Sequence, residues 1–117
     1  MGSAHTLQYD LSVCEFTLPD PGNAKALTST NTGTIPIVTA AAETRTLADP
    51  AKTGLRLTLA MKTDGGDCVI TVASAFNSSG NTIITMNDAG DSIELRSIPV
   101  GSGYKWKIVN NDGCSLS

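Results

Sequence analysis

The chain has 117 residues and a mass of 12.1 kDa, which is one domain's worth. Eight Lys and Arg against eleven Asp and Glu give a net charge of −3 with no basic run, so the electrostatic footprint of a nucleic-acid binder is missing. No apolar run approaches the roughly 18 residues that span a membrane, Met1–His5 lacks the basic and apolar regions of a signal peptide, and a single His removes most metal and acid–base constellations.

The composition favours β structure. Charged residues are 16% and aromatics 4%, while 15 Thr, 8 Ile and 6 Val supply stiff, branched side chains that suit a pleated surface. In chain order, His5, Leu7, Tyr9, Leu11 and Val13 alternate with polar residues, which predicts a strand with one buried face. Cys14–Leu18 continues it or forms a second strand, and Pro19-Asp-Pro-Gly22 breaks it. Residues 22–33 have no periodicity and read as a loop or an extended arm. Thr34–Thr39 contains Pro36, which predicts an edge strand or a segment lying against another chain. Thr44–Leu47 is a short strand closed by Ala48-Asp-Pro50.

Leu55, Leu57, Leu59 and Met61 alternate with Arg56, Thr58, Ala60 and Lys62. Asp64-Gly-Gly-Asp67 then reads as a hairpin turn, with Gly supplying positive φ, into Cys68–Val72. Asn77–Asn81 turns into Thr82–Met86, Asn87–Asp91 into Ser92–Arg96, and Gly101–Gly103 into Tyr104–Val109, with Asn110–Gly113 closing the domain. No helix longer than a turn is expected. Short strands with turns every 10 to 14 residues predict an all-β sandwich or barrel. The organisation expected is an N-terminal strand and arm over 1–33 and a β-sandwich over 34–117, in one compact domain.

Candidate chemistry is sparse. His5 has no Ser, Cys or carboxylate partner in a recognisable triad segment. Cys14, Cys68 and Cys114 cannot all pair within one chain and read as buried free thiols. The Asp-rich stretches at 64–67 and 87–91 lack the Asp-x-Asp-x-Asp-Gly order of a calcium loop and read as turns. Asn77-Ser-Ser79 fits a glycosylation sequon of the sort that occurs by chance. Glu94 is expected to pair with Arg96, Lys105 or Lys107 on a solvated face. Tyr104, Trp106 and Ile108 share one face of the last strand, which makes Trp106 a core anchor rather than an exposed carbohydrate platform. No catalytic residues, cofactor or metal are expected.

The stretch Ala48–Gly113 resembles a recurrent β-domain of tailed-phage virion proteins. The cadence runs through Asp64-Gly-Gly-Asp-Cys-Val-Ile-Thr-Val72 and Asp88-Ala-Gly-Asp-Ser-Ile-Glu-Leu95 to Trp106-Lys-Ile-Val109. It is similar to trimeric jelly-roll domains of capsid decoration (cement) proteins and of tail-fibre knobs. The resemblance implies a jelly-roll-like homotrimer with a structural role and no enzymatic one. Its partners would be itself and the major capsid protein, with neither nucleic acid nor membrane. It would be made in the host cytoplasm and sit on the capsid surface of the virion. Such proteins grip the shell through an extended N-terminal segment, which makes His5, Leu7, Tyr9, Leu11 and Val13 the capsid-contact candidates and residues 19–39 a second candidate. The alternative is a receptor- or carbohydrate-binding tail-fibre knob, which requires an exposed Trp106 or Tyr104.

Overall fold

The computed structural model describes residues 16–117. Among these there is no helix, and nine strands form two sheets. The strands are β1 (Lys25–Ala26), β2 (Gly33–Val38), β3 (Glu43–Leu47), β4 (Arg56–Thr63), β5 (Cys68–Val72), β6 (Ile83–Met86), β7 (Ser92–Val100), β8 (Gly103–Asp112) and β9 (Ser115–Leu116). One sheet has the order β1-β3-β5-β6-β9 and the other β2-β4-β7-β8. Period-2 alternation turns Leu47, Ile70, Val72, Ile84 and Met86 inward from the first, and Ile35, Ile37, Leu57, Leu59, Ile93, Leu95 and Trp106 inward from the second. Together they make one shared core, so the domain is a two-layer all-β sandwich.

The chain weaves. From β1 to β5 successive strands alternate between the sheets, so neighbours within a sheet lie two strands apart in sequence and run parallel. A parallel pair needs a long crossover, and here a strand of the opposite sheet supplies it. Only β5–β6 and β7–β8 are antiparallel neighbours joined directly in the chain. Three parallel pairings depart from the antiparallel pattern of a jelly roll.

The weave corrects the hairpin expected at Asp64–Asp67. β4 and β5 belong to different sheets, and neither Gly65 nor Gly66 has positive φ. These glycines are needed for close approach instead. A Cβ on Gly65 would strike the Thr39 carbonyl oxygen, and one on Gly66 would strike the Ala41 carbonyl carbon. The buried Thr39 hydroxyl completes the junction, accepting from both Gly65 and Gly66 N–H at 3.1 Å and donating to the Gly66 carbonyl at 2.6 Å. At the chain's end, β8 runs on to Asp112, the reversal falls at Gly113 (φ 91°), and β9 follows. The stretch expected as a loop or arm also holds β1, and Leu27 beside it is buried.

One charge lies inside. Arg45 alternates with Leu47 on the inward face of β3 and is 1% exposed. Its Nε and Nη2 donate to Asp20 Oδ1 and Oδ2 at 2.8 and 3.0 Å, its Nη1 lies 3.0 Å from Glu43 Oε1, and Nη2 reaches the Val38 carbonyl at 3.2 Å. Burial works against ionisation of Asp20, but Arg45 and the N–H groups of Val38 and Gly22 hold its carboxyl below the ordinary value. The Ala40 N–H, then Arg45, do the same for Glu43 against its desolvation.

Arg45→Met leaves the Asp20 carboxylate without its cation and the Val38 carbonyl without its donor, which is expected to cost about 1–3 kcal/mol in urea unfolding. The carboxylates' contribution is fully present above their ordinary values, 3.8 for Asp20 and 4.5 for Glu43, and disappears as pH falls below these toward the lower folded values. Acid unfolding of the native protein therefore steepens below pH 4, and Asp20→Asn blunts that slope. Gly66→Ala forces backbone against backbone and is expected to cost about 1–3 kcal/mol in the same measurement.

Candidate functional site

The capsid-contact candidates His5, Leu7, Tyr9, Leu11 and Val13, with Cys14, lie outside the described residues. The described chain starts at Phe16, 58% exposed, beside the outer edge of β2. Pro36 does mark an edge strand, but the segment against that edge is the chain's own. Thr34 N–H donates to the Phe16 carbonyl and Leu18 N–H to the Thr34 carbonyl, both at 2.8 Å. Val38 N–H donates to Asp20 Oδ2 at 2.9 Å, and the Val38 carbonyl accepts from Arg45. Alternation sends the groups of residues 34, 36 and 38 to this side, so the missing Pro36 N–H takes nothing from the β2–β4 ladder and only interrupts the outer pairing between Thr34 and Val38. Gly33 permits the approach, because a Cβ there would meet the Phe16 carbonyl and the Leu18 side chain. The β2 edge within the second candidate stretch, 19–39, is thus already paired.

Trp106 is fully buried, and its Nε1 donates to the Ala48 carbonyl at 2.9 Å. Beside it Lys105 Nζ lies 3.0 Å from Asp49 Oδ2. Burial opposes ionisation of Asp49, and Lys105 and Ser74 outweigh it to hold the pKa low. Asp49 Oδ1 is buried without a hydrogen-bond partner in the structure. Glu94 pairs with none of its expected partners. It lies 3.9 Å from Arg56, because β7 pairs with β4 in register that sets Thr58 opposite Glu94. Lys107 Nζ donates instead to the Ala75 carbonyl at 3.3 Å.

The loop candidates are held in turns. Asp91 Oδ2 accepts from the Asn87 and Asp88 N–H groups, and Asn77 is bonded at both ends of its amide to Asn81. Cys68 and Cys114 are buried free thiols. Desolvation, the largest cause in each case, pushes both up to about 11.

The outer faces of the two sheets differ. Positions pointing outward from β3, β5 and β6 are Thr44, Thr46, Val69, Thr71, Ile83 and Thr85, none of them charged. They flank a shallow open cleft of about 290 Å³ lined by Ala26, Thr46, Leu47, Ala48, Thr71 and Ala73. The four-stranded sheet turns Arg56, Arg96 and Lys107 outward and ends in a β7–β8 hairpin whose Ile98 and Val100 are 36% and 42% exposed. Sequence alone reveals neither face, since both depend on which strands share a sheet.

No protein-family model matches this chain, and no curated protein matches it significantly. The class defined so far is a two-layer β-sandwich with a self-paired edge and two chemically unlike faces.

With Cys14→Ser to remove the thiol outside the described residues, labelling by a disulfide reagent at pH 8 follows the thiolate fraction. A rise from 9.0 to about 11 makes the thiolate about 100-fold rarer in the folded than in the unfolded chain. Folded protein therefore reacts at least about 100-fold more slowly than protein in urea.

Proposed function

We propose that this chain is a structural virion protein: a capsid decoration (cement) protein that binds the outside of a tailed-phage head as a homotrimer and stabilises contacts between major capsid protein subunits. The reading rests first on the resemblance over Ala48–Gly113, whose Ser92–Leu95 and Trp106–Val109 segments fall on the paired strands β7 and β8. The observation that carries it furthest is the self-paired edge of β2. With that edge taken by residues 16–20, grip on a shell is assigned to the alternating His5–Val13 segment just upstream, where backbone pairing would supply affinity. The likeness to a jelly roll is one of two-layer construction, since three strand pairs run parallel.

The role is non-enzymatic. Threefold symmetry multiplies a weak single contact through effective concentration. Binding only the assembled shell raises shell stability by mass action, about 2.7 kcal/mol at a free concentration 100 times Kd. The tail-fibre alternative is weakened by the burial of Trp106 and rests on the half-buried Tyr104 alone.

Co-sedimentation with empty expanded heads of the phage that encodes the chain tests the reading. Native protein is expected to saturate the heads and raise their disruption temperature. Leu7→Asp with Leu11→Asp is expected to weaken binding at least about tenfold, with thermal melts establishing that the variant is folded. Native protein that stays in the supernatant would overturn the proposal.

A further inference from the structure

Among the described residues, charge is segregated along the molecule. β4 pairs with β7 so that Arg56 faces Arg96, and β7 pairs with β8 so that Arg96 faces Lys107. Three cations thus stand in one cross-strand row, about 10 Å long at the usual strand spacing. Like charges placed directly opposite repel. The one carboxylate beside them is Glu94, 3.9 Å from Arg56, and Arg96 has no ion pair among the described residues. In a chain with eight cations and a net charge of −3, three in register form an electropositive stripe that the rest of the sheet does not offset.

The opposite pole is acidic. Asp64 and Asp67 lie on the turn after β4, Asp88 and Asp91 on the turn before β7, and Asp112 at the end of β8. These turns are joined at one end of the sandwich. Asn87 Nδ2 donates to Asp67 Oδ2 at 3.0 Å, Gly90 N–H donates to the Met61 carbonyl at 2.9 Å, and Ser92 bridges to Gly113. Among the described residues none of the five aspartates is in an ion pair, and Lys62 is the one cation on the adjoining stretch of β4. Arg56 stands eight residues from Asp64, and Arg96 and Lys107 stand five residues from Asp91 and Asp112, so the poles are about 16–26 Å apart. One molecule cannot bring them together.

We infer that the Arg56–Arg96–Lys107 row docks on the aspartate-bearing end of a second copy of this chain. Two different patches meet, so the contact is head-to-tail, and such contacts close into rings when the rotation permits. This deepens the proposed homotrimer, on which it rests, by naming its interface. A copy of the same chain is the partner favoured because its aspartate-bearing end carries the complementary charge. Charge pairs of this kind fix orientation and partner choice, and repeated around a ring they add affinity that salt removes.

The test is sedimentation of the full chain at 0.05 and 1 M salt, between which screening of exposed charges becomes nearly complete. Native protein should run as a multiple of 12.1 kDa at low salt and shift toward 12.1 kDa at high salt. Arg96→Glu with Lys107→Glu should weaken association at least about tenfold, as should Asp64→Lys with Asp88→Lys and Asp112→Lys. Combining all five substitutions should restore it. Thermal melts establish that each variant is folded. Association unchanged by either reversal, or not restored by the combination, overturns the inference. A native protein that is monomeric at low salt but binds poly-glutamate through the row overturns it in favour of another acidic partner. Failure here with intact head binding leaves the decoration role standing, whereas charge-dependent rings that never bind heads sink that role and keep this interface.

Discussion

The two sheets are tied together at Arg45. Its guanidinium sits on β3 of one sheet and reaches the Val38 carbonyl of the other, while Asp20, held by the same guanidinium, takes the Val38 N–H. Three separate stretches of chain therefore meet on one planar fork, which a lysine ammonium could not bridge with the same geometry. Apolar residues of similar volume in place of the whole Asp20–Arg45 pair would pack there with comparable or greater stability, because desolvating an ion pair offsets most of its attraction, whereas removing Arg45 alone strands its partners. What the arrangement contributes is register. A slip of one residue in β3 would expel Arg45 and turn Thr44 and Thr46 into the core. A single alignment of β3 sets the guanidinium against both Asp20 and the Val38 carbonyl.

That anchoring matters because the topology is not self-evident from local pattern. Leu55–Met61 and Cys68–Val72 alternate identically whether their strands are hydrogen-bonded neighbours or lie in opposite layers. Alternation reports which side chains are buried, not against what. Asp64-Gly-Gly-Asp67 has the composition of a hairpin, yet its glycines make room for the backbone of residues 39–42, some 25 positions upstream. Thr39 fills the same junction with its hydroxyl. Contacts of that sequence separation leave no local signature, so the weave was not readable.

Other features were legible because their causes are local. Trp106 is inside, as its parity with Tyr104 and Ile108 requires. Pro36 lies at a sheet edge, with its missing N–H on the side away from the β4 ladder. Arg45 did leave a signal, since a charged residue sharing parity with Leu47 conflicts with a simple inward-apolar pattern, and such conflicts mark buried polar anchors. The partners of Glu94 were misassigned for the opposite reason: the neighbour of β7 on its far side, β4, lies more than thirty residues earlier in the chain. Of the candidate interaction residues, the His5–Val13 set falls outside the described chain, which begins at Phe16 beside Thr34.

The two outer faces impose different physics on any assembly. The Thr44, Thr46, Val69, Thr71, Ile83 and Thr85 face presents methyl groups and short hydroxyls with no charge. A partner there gains by burying apolar area, an effect that salt does not screen, and must satisfy each hydroxyl it covers. The Arg56–Arg96–Lys107 face acts beyond contact range, out to about 10 Å at 0.1 M salt, and fades as salt rises. Long-range attraction orients an approaching molecule before short-range burial can begin. An assembly that used both faces would therefore form in that order. Its rate would be sensitive to ionic strength, and whatever part of its stability survives high salt would come from the uncharged sheet.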